Sequence, residues 1–340
     1  MLKKLLSTLA LGLCLSGPAL AETNIKFTLG WKTQGSDAPF LLAQQKGYFK
    51  AEGLNVTIDQ GEGSAATVTR IMSGAYDAGF GDINAIIQNA ATRPGEVPVM
   101  VYQLWNKPPF AIVSKKTTNI TKPADLVGKK LGGAQGTPTT RLVTVLGTLN
   151  KVDMTKVAIE NMGPNLQEPM LIKGDIDGAL VFSITSWFNL INNRQDPAKD
   201  YNWLLFGEFG LDLYSNGMMV SQKLIKENPD AVAGLVRAVN KAAVEIGVDA
   251  EAGVKAVLAY DNLAKEELER ARMKFSYEQL ILSPEVDRIG LGDVDDARLA
   301  RSIGIMVEGY QLTATPKPEQ VFTRQFLPQL ADRKLAYKAN

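Results

Sequence analysis

The sequence predicts an α/β protein with two lobes, each built on its own sheet. Short apolar segments that suit strands alternate with longer segments of helical periodicity along most of the chain. One pattern also occurs twice, at residues 71–80 and 171–180: an apolar helix end, then Gly, two residues, Asp and a strand of small residues. The spacing of 100 positions is too long for a solenoid repeat and suits one copy in each lobe. Chance recurrence of a common α/β connection is the alternative.

The predicted elements alternate from the first strand onward. Strands are expected at residues 25–31, 54–58, 78–81, 97–104, 110–114, 130–134, 157–161, 179–182, 203–206 and 218–221. Helices are expected at 38–50, 64–73, 84–91, 138–149, 166–172, 185–192 and 229–247, followed by shorter helices in 263–335 and one strand near Phe275. The helix at 229–247 is the clearest, because Asn228 suits its cap and Pro229 its first position. Extended connections near 105–110 and 211–217 are the expected hinge.

The first 21 residues have the pattern of an export signal. Lys3 and Lys4 precede an apolar run at 5–15, and Ala19-Leu20-Ala21 suits a cleavage site. The run is too short for a bilayer-spanning helix, which needs about 20 residues. A lipid anchor on Cys14 is the alternative. We expect cleavage after Ala21 and a soluble, exported protein.

The composition of residues 22–340 excludes several function classes. Cys14 is the only cysteine and lies in the export signal, so residues 22–340 can form no disulfide and carry no thiol chemistry. The chain has no histidine, which removes the commonest general base and the commonest metal ligand. Without Lys3 and Lys4, the 37 basic residues become 35, against 36 acidic ones. This balance gives no general attraction to nucleic acid. Without His or Cys after residue 21, and with acidic spacings that match no calcium loop, we expect no metal site. The glycine-rich segment at 132–137 lacks the terminal Gly-Lys-Ser/Thr of a phosphate loop, and we expect no cofactor.

Four motifs follow one another along the chain: Trp31…Ala38-Pro39-Phe40…Lys46-Gly47-Tyr48-Phe49, Ser73-Gly74…Asp77…Gly81-Asp82, Lys122-Pro123-Ala124-Asp125-Leu126-Val127-Gly128 and Leu171-Ile172-Lys173-Gly174-Asp175-Ile176-Asp177. In this order they resemble the solute-binding proteins of bacterial ABC importers, in the branch that includes binders of thiamine pyrimidine precursors, alkanesulfonates and nitrate. The resemblance implies the two-lobed type II periplasmic binding protein fold, with a ligand cleft between the lobes. The expected division is a signal peptide at 1–21, lobe 1 at 22–107, lobe 2 at 108–213, and a return to lobe 1 with C-terminal helices at 214–340.

The resemblance also implies a role and a location. We expect a periplasmic monomer that captures a small molecule and delivers it to an inner-membrane ABC permease. A sensor that presents its ligand to a membrane receptor is an alternative. Fungal relatives of this branch include enzymes that make thiamine pyrimidine with active-site His and Cys, and this chain has neither after residue 21. We therefore expect that the protein is not an enzyme, with an exported enzyme using carboxylates as the alternative.

Candidate ligand contacts lie where predicted strands end, because parallel sheets bind ligands at the carboxyl ends of their strands. Trp31 is expected to stack on a flat ligand, with a partly buried core Trp as the alternative. Asp37 and Asp82 each precede a helix, where a carboxylate either caps the helix or contacts the ligand. The first-lobe candidates are Trp31, Asp37, Glu62, Gly63, Ser64, Asp82, Asn84 and Trp105.

The second lobe offers a similar set of loops. Thr137 is expected to cap the helix that begins at Pro138, where free N–H groups suit an anion or a carbonyl. Arg141 is either a contact for a carboxylate or phosphate, or a solvated surface charge. The second-lobe candidates are Gln135, Thr137, Thr139, Arg141, Glu168, Phe182 and Ser183.

The acidic loops of the first lobe favour a particular ligand. Asp37, Glu62 and Asp82 lie near a single cation, Lys32, whereas an oxyanion site would collect Arg, Lys or free helix N-termini. We expect a flat, nitrogen-rich compound of the pyrimidine type. A sulfonate, nitrate or other small organic anion is the alternative, because capping accounts for two of the three acids.

Overall fold

The computed structural model describes residues 22–338 and contains two five-stranded sheets. The expected export signal at 1–21 lies outside the described residues. The strands β1 to β10 are Thr23–Thr28, Leu54–Asp59, Ala78–Asp82, Val99–Gln103, Phe110–Lys115, Lys130–Ala134, Ala158–Met162, Gly178–Phe182, Tyr201–Leu205 and Asn216–Val220. The helices α1 to α14 are Ala38–Gln45, Tyr48–Ala51, Ser64–Met72, Ile83–Ala90, Pro138–Leu149, Gln167–Lys173, Ser183–Asn192, Gln222–Glu227, Pro229–Val248, Ala250–Tyr260, Glu266–Phe275, Pro284–Ile289, Asp296–Tyr310 and Pro318–Val321.

The two sheets have the same topology. The first sheet has the order β2-β1-β3-β10-β4 and the second β7-β6-β8-β5-β9. In each, three neighbouring strands are parallel, and the fourth strand in the order runs antiparallel to both of its neighbours. The chain passes between the sheets at 104–109 and again at 206–215. The α/β fold with two lobes is therefore confirmed, while the boundaries at 107 and 213 stay predictions.

The duplicated sequence pattern builds the same corner in both sheets. Gly74 and Gly174 have φ of +76° and +91°, the left-handed conformation that ends a helix without a side-chain penalty. Asp77 and the Lys26 backbone exchange two hydrogen bonds, in which the Asp77 N–H donates to Lys26 O and the Lys26 N–H donates to Asp77 Oδ2, both at 2.9 Å. Asp177 makes the equivalent pair with Lys130 at 2.8 Å. The pattern therefore fixes the helix-to-strand turn.

Two predicted elements differ from the structure. The helix expected at 38–50 divides into α1 and α2, because Gly47 between them has a φ of +69°. The strand expected near Phe275 is wrong: Phe275 ends α11, and the chain continues as a π-helix over Ser276–Ile281. Asn228 caps α9 as predicted, since its side chain accepts a hydrogen bond from the Ala231 N–H. Among residues 22–338, no helix has both the length and the apolar character to cross a bilayer.

The C-terminal helices pack mainly on the first sheet and join its core. Residues of α1, α9 and α10 share one buried cluster with β1 and β2. Helix α13 instead packs on α4 and α5, which follow strands of different sheets. Helix α11 packs on α10 and also on α7, which follows the second sheet. The tail of the chain therefore contacts both lobes and borders the space between them.

Candidate functional site

A cavity of about 510 Å³ lies between the two lobes. Loops that follow β1 and β2 form its first-lobe wall, and the ends of β6, β7 and β8 with helix α7 form the second. The Thr185 hydroxyl donates across the lobes to Gln34 Oε1 at 3.3 Å. The cavity thus lies at the carboxyl ends of the parallel strands, where the sheet geometry predicts a ligand site.

Aromatic rings form much of the apolar wall. Trp31 is half-buried, whereas Trp105 is 1% exposed and lies edge-on to Phe80, with ring centres 5.3 Å apart. Trp105 also packs on Phe182 of the second lobe at 6.0 Å. All four rings line the cavity. They offer flat apolar surface to a ligand of comparable shape.

Asp37 lies on the first-lobe wall in a buried cluster of charged groups. Its Oδ2 accepts a hydrogen bond from the Gln34 N–H at 3.0 Å, so the carboxyl group does not cap α1 as the sequence suggested. Burial, reinforced by Glu269, raises the pKa of Asp37 to about 8, although the Gln34 hydrogen bond and Arg272 oppose the rise. At neutral pH this group is therefore mostly a neutral acid that can donate a hydrogen bond.

Glu168 provides the buried carboxyl group of the second-lobe wall. It is 4% exposed and accepts hydrogen bonds from the Ser186 hydroxyl and, at 3.3 Å, from Asn189 Nδ2. Burial raises the pKa of Glu168, and the two hydrogen bonds counteract part of that rise. Both hydrogen bonds reach Oε1, and no hydrogen bond joins Oε2 to another described residue. Glu168 can therefore accept a hydrogen bond from a ligand.

Glu62 lies at the rim of the cavity. Its side chain is 68% exposed and forms an ion pair with Arg70 at 3.1 Å. Exposed pairs of this kind contribute little to stability and leave the carboxylate solvated. The other predicted first-lobe contacts of this loop, Gly63 and Ser64, line the cavity where α3 begins.

Three further candidates lie together but outside the main cavity. Asp82, Asn84 and Arg141 surround a separate small pocket of about 10 Å³. The Asp82 carboxylate caps α4 through the Asn84 N–H at 3.3 Å, which confirms the capping interpretation. Burial raises the pKa of Asp82 to about 7, against the hydrogen bonds from Asn84 and the charge of Arg141.

The other second-lobe candidates have mixed positions. Thr137 lines the cavity, but its hydroxyl donates to Ala134 O at 2.9 Å and does not cap α5. The Thr139 hydroxyl donates to Val181 O at 3.0 Å. Gln135 is exposed, and the Ser183 N–H donates to Pro109 O at 2.7 Å. Gln135, Thr139 and Ser183 are not part of the cavity lining.

Most residues of the cavity walls lie in a segment that matches a known protein family. A model described as NMT1/THI5 like matches residues 34–251. The chain belongs to the NMT1/THI5-like family. The matched segment contains both sheets apart from β1, and it ends before α11.

Relatives by sequence and solved structures with a similar fold are named for different activities. A 4-amino-5-hydroxymethyl-2-methylpyrimidine phosphate synthase of Aspergillus parasiticus is 27% identical over 66% of each chain, so this chain spans about two thirds of that relative. A putative thiamine biosynthesis protein of Haemophilus influenzae is 27% identical over 63% of this chain and 66% of its own length. The alkanesulfonate-binding protein SsuA of Xanthomonas axonopodis, solved with bound MOPS, has a TM-score of 0.67 at 14% identity and covers 90% of this chain and 99% of its own.

These comparisons confirm the periplasmic binding protein fold and correct one expectation. We expected that the protein is not an enzyme. This expectation is contradicted, because most of the curated relatives are named as phosphate synthases. The absence of His and Cys after residue 21 was the basis of that expectation. Family membership and fold together support a site that binds a small solute.

Several cavity residues were not predicted from the sequence. Ser186 and Asn189 lie three positions apart on α7, so the helical period after Phe182 was a signal that could have identified them. Arg272 gave no such signal. It lies in a strongly charged segment of α11, where a Glu and an Arg three residues apart indicate an ordinary surface pair.

Proposed function

We propose that this protein is the extracytoplasmic substrate-binding component of an ABC importer, and that it holds one small aromatic nitrogen compound between its lobes. The cavity of about 510 Å³ carries the proposal, since both lobes line it with aromatic rings and buried carboxyl groups. Apolar pockets with a few convergent polar groups are typical of small-molecule sites. The pyrimidine phosphate synthases among the named relatives support a ligand related to a pyrimidine.

The chemistry of the walls favours a flat ligand with hydrogen-bond donors. Trp31, Trp105 and Phe182 offer ring surface, and Glu168 offers an oxygen acceptor to an amino group. Asp37, held largely neutral by its raised pKa, can donate a hydrogen bond to an acceptor on the ligand. An aminopyrimidine combines these features.

Binding of a small anion is the alternative ligand class. The helices α3 and α5 both begin at the cavity, with Ser64 and Pro138 in its lining. Free N–H groups at helix starts attract anions. The solved sulfonate-binding proteins share the fold, which does not decide the ligand.

A monomer that closes its lobes around the ligand in the periplasm would dock on an inner-membrane permease. The export-signal pattern at 1–21 and the two crossings between the sheets support this role. Deleting the gene should abolish uptake of the ligand by cells, and re-expression should restore it. Unchanged uptake, with high-affinity binding in vitro, would favour the sensor alternative.

A thermal-shift screen of residues 22–340 tests the ligand class. The panel contains 4-amino-5-hydroxymethyl-2-methylpyrimidine, simpler aminopyrimidines, alkanesulfonates and nitrate. A ligand at about 100 to 1,000 times its Kd stabilises the folded state by roughly 3–4 kcal/mol. A shift with aminopyrimidines alone supports the proposal, and a shift with sulfonates alone promotes the anion alternative.

Synthesis of a pyrimidine compound is a second candidate function, favoured by the names of the curated relatives. Mass spectrometry of the purified protein after incubation with cell extract separates the two functions. A bound compound recovered unchanged supports capture. A pyrimidine that accumulates in proportion to the protein supports synthesis.

A further inference from the structure

Helix α11 brings a residue to the cavity from outside the segment that the family model matches. The matched segment ends at residue 251, whereas α11 spans Glu266–Phe275. On the first-lobe side, Glu269 Oε2 accepts the Gly35 N–H at 2.6 Å. On the second-lobe side, Phe275 packs on Trp187 and Phe188 of α7, with ring centres 6.2 and 5.8 Å apart. The helix therefore touches both walls, and its Arg272 lines the cavity.

Arg272 is buried with much of its donor capacity unused. Its Nη1 donates to both carboxylate oxygens of Glu269, at 2.6 and 2.7 Å, and its side chain is 7% exposed. The buried Nε has no hydrogen-bond partner, and both hydrogen bonds of the guanidinium among residues 22–338 come from Nη1. A guanidinium carries five N–H donors, and leaving a buried donor without a partner is destabilising. Because Arg272 lines the cavity, a ligand held there can offer an acceptor to an N–H group of the guanidinium.

The charges around Arg272 specify the kind of acceptor. Both carboxylate oxygens of Glu269 accept hydrogen bonds from the guanidinium through Nη1, so the positive charge is already balanced. The ring of Phe188, 5.4 Å from the guanidinium carbon, covers it with an aromatic face. A full anion at this point would lie near the Glu269 carboxylate and be repelled. A neutral acceptor, such as a ring nitrogen or a carbonyl oxygen, receives the hydrogen bond without that repulsion.

We propose that Arg272 contacts the ligand and donates a hydrogen bond to a neutral acceptor on its ring. Together with Glu168, which accepts from a ligand donor, it selects flat molecules that carry both an amino group and an acceptor atom. This inference rests on the proposed function, because it concerns a second contact of the same site. It adds a selectivity residue from a helix outside the matched family segment.

The test measures selectivity as well as affinity. The probes are 4-amino-2-methylpyrimidine and 3-methylaniline, which have the same ring shape and amino group and differ in the two ring nitrogens. Ligand-observed NMR titrations give Kd for both probes on the wild type, Arg272→Lys and Glu269→Gln/Arg272→Met. The double variant avoids leaving a buried Glu269 without a partner. Arg270→Met is the matched control, since Arg270 lies on the same helix and its ion pairs with Glu251 and Glu266 are exposed.

The wild type should bind the pyrimidine at least about tenfold more tightly than the aniline, in line with one buried hydrogen bond to a charged donor. The double variant should reduce this ratio to within about threefold while circular dichroism stays unchanged, and Arg270→Met should keep the wild-type ratio. A folded double variant with the wild-type ratio overturns the role of Arg272 and leaves the proposed function standing. A wild type that binds neither probe but binds a sulfonate overturns both.

Discussion

Replacing Asp37 with Asn should change how the stability of the protein depends on pH. Burial raises the pKa of this group from 3.8 to about 8 in the folded chain. Between about pH 4 and pH 8 the folded state therefore holds a proton that the unfolded state has lost, and stability falls by about 1.4 kcal/mol per pH unit. The stabilisation is complete below about pH 4 and is lost above about pH 8. Between about pH 6 and pH 9 the loss from Asp37 is on the order of 2–3 kcal/mol.

Urea unfolding of the wild type and Asp37→Asn across this pH range measures the effect. The difference in unfolding free energy between the two proteins should move in favour of the variant as pH rises, because Asn does not ionise. Asp82 and Glu168 also have raised pKa values, but they titrate in both proteins and so cancel in the difference. Asp230→Asn, an exposed substitution at the start of α9, is the control. Parallel curves for wild type and Asp37→Asn would refute the burial argument.

Trp31→Ala should weaken ligand binding by roughly 1–3 kcal/mol with little change in melting temperature, because Trp31 is half-buried at the cavity wall. Unfolding of this variant with its affinity intact would favour a core role for Trp31. Glu62→Gln should change affinity by less than about threefold, because Glu62 is exposed and paired with Arg70. Glu168→Gln should weaken binding of an aminopyrimidine about tenfold, because Glu168 is a buried acceptor. Isothermal calorimetry with both variants measures the two affinities. Gly35→Ala should destabilise the fold by roughly 1–3 kcal/mol in thermal melts, because the added Cβ would lie 2.3 Å from Glu269 O. Gly304→Ala in α13 is the control: its Cβ would meet nothing within 4 Å, so it should be neutral or stabilising.

Much of the fold was predictable because its signals are local. The glycine and aspartate of the duplicated pattern act within one turn, so Gly74 and Gly174 indicated where helices end. Asn228 and Pro229 likewise mark the start of α9 within three residues. The strand expected near Phe275 was wrong because aromatic and apolar residues there pack on α7 and the core as a helix. Tertiary packing overrides propensity in such a segment.

The buried part of the candidate site was less predictable because its contacts are distant in sequence. Glu269 and Gly35 are 234 positions apart, and neither residue type marks the other. Asp37 was predicted as a contact or a cap from its place before a helix, but its raised pKa depends on the enclosure that α11 completes. Glu62 showed the reverse: although it lies in a cavity loop, its side chain is 68% exposed and pairs with Arg70 of α3. Sequence pattern therefore located the loops, and packing decided which charges they bury.

Two side chains, Arg298 and Gln103, each form hydrogen bonds to both crossings between the sheets. Arg298 of α13 donates to Asn106 O at 2.9 Å in the first crossing, and to Asp212 Oδ1 at 2.8 Å in the second. Gln103 Nε2 bridges Trp105 O and Ser215 O at 3.0 and 3.1 Å. These contacts hold the crossings rigidly at the first-lobe end. Opening of the cavity should therefore bend the chain on the second-lobe side of the contacts, near 107–110 and 206–211.

If the lobes open in this way, α11 should stay with the first lobe and separate from α7. Phe275 makes ring contacts with Trp187 and Phe188 but does not line the cavity, so it should stabilise the closed form without touching a ligand. Aromatic pairs contribute about 0.5–1.5 kcal/mol each, so Phe275→Ala should favour the open form and weaken affinity by roughly 1–2 kcal/mol. Small-angle scattering of the unliganded variant should show a larger radius of gyration than that of the wild type. Tyr337→Ala removes a half-buried ring stacked on Tyr277 and should leave both measurements unchanged. An unliganded Phe275→Ala with the wild-type radius and affinity would show that opening does not separate α11 from α7, and that the lobes move about a different axis.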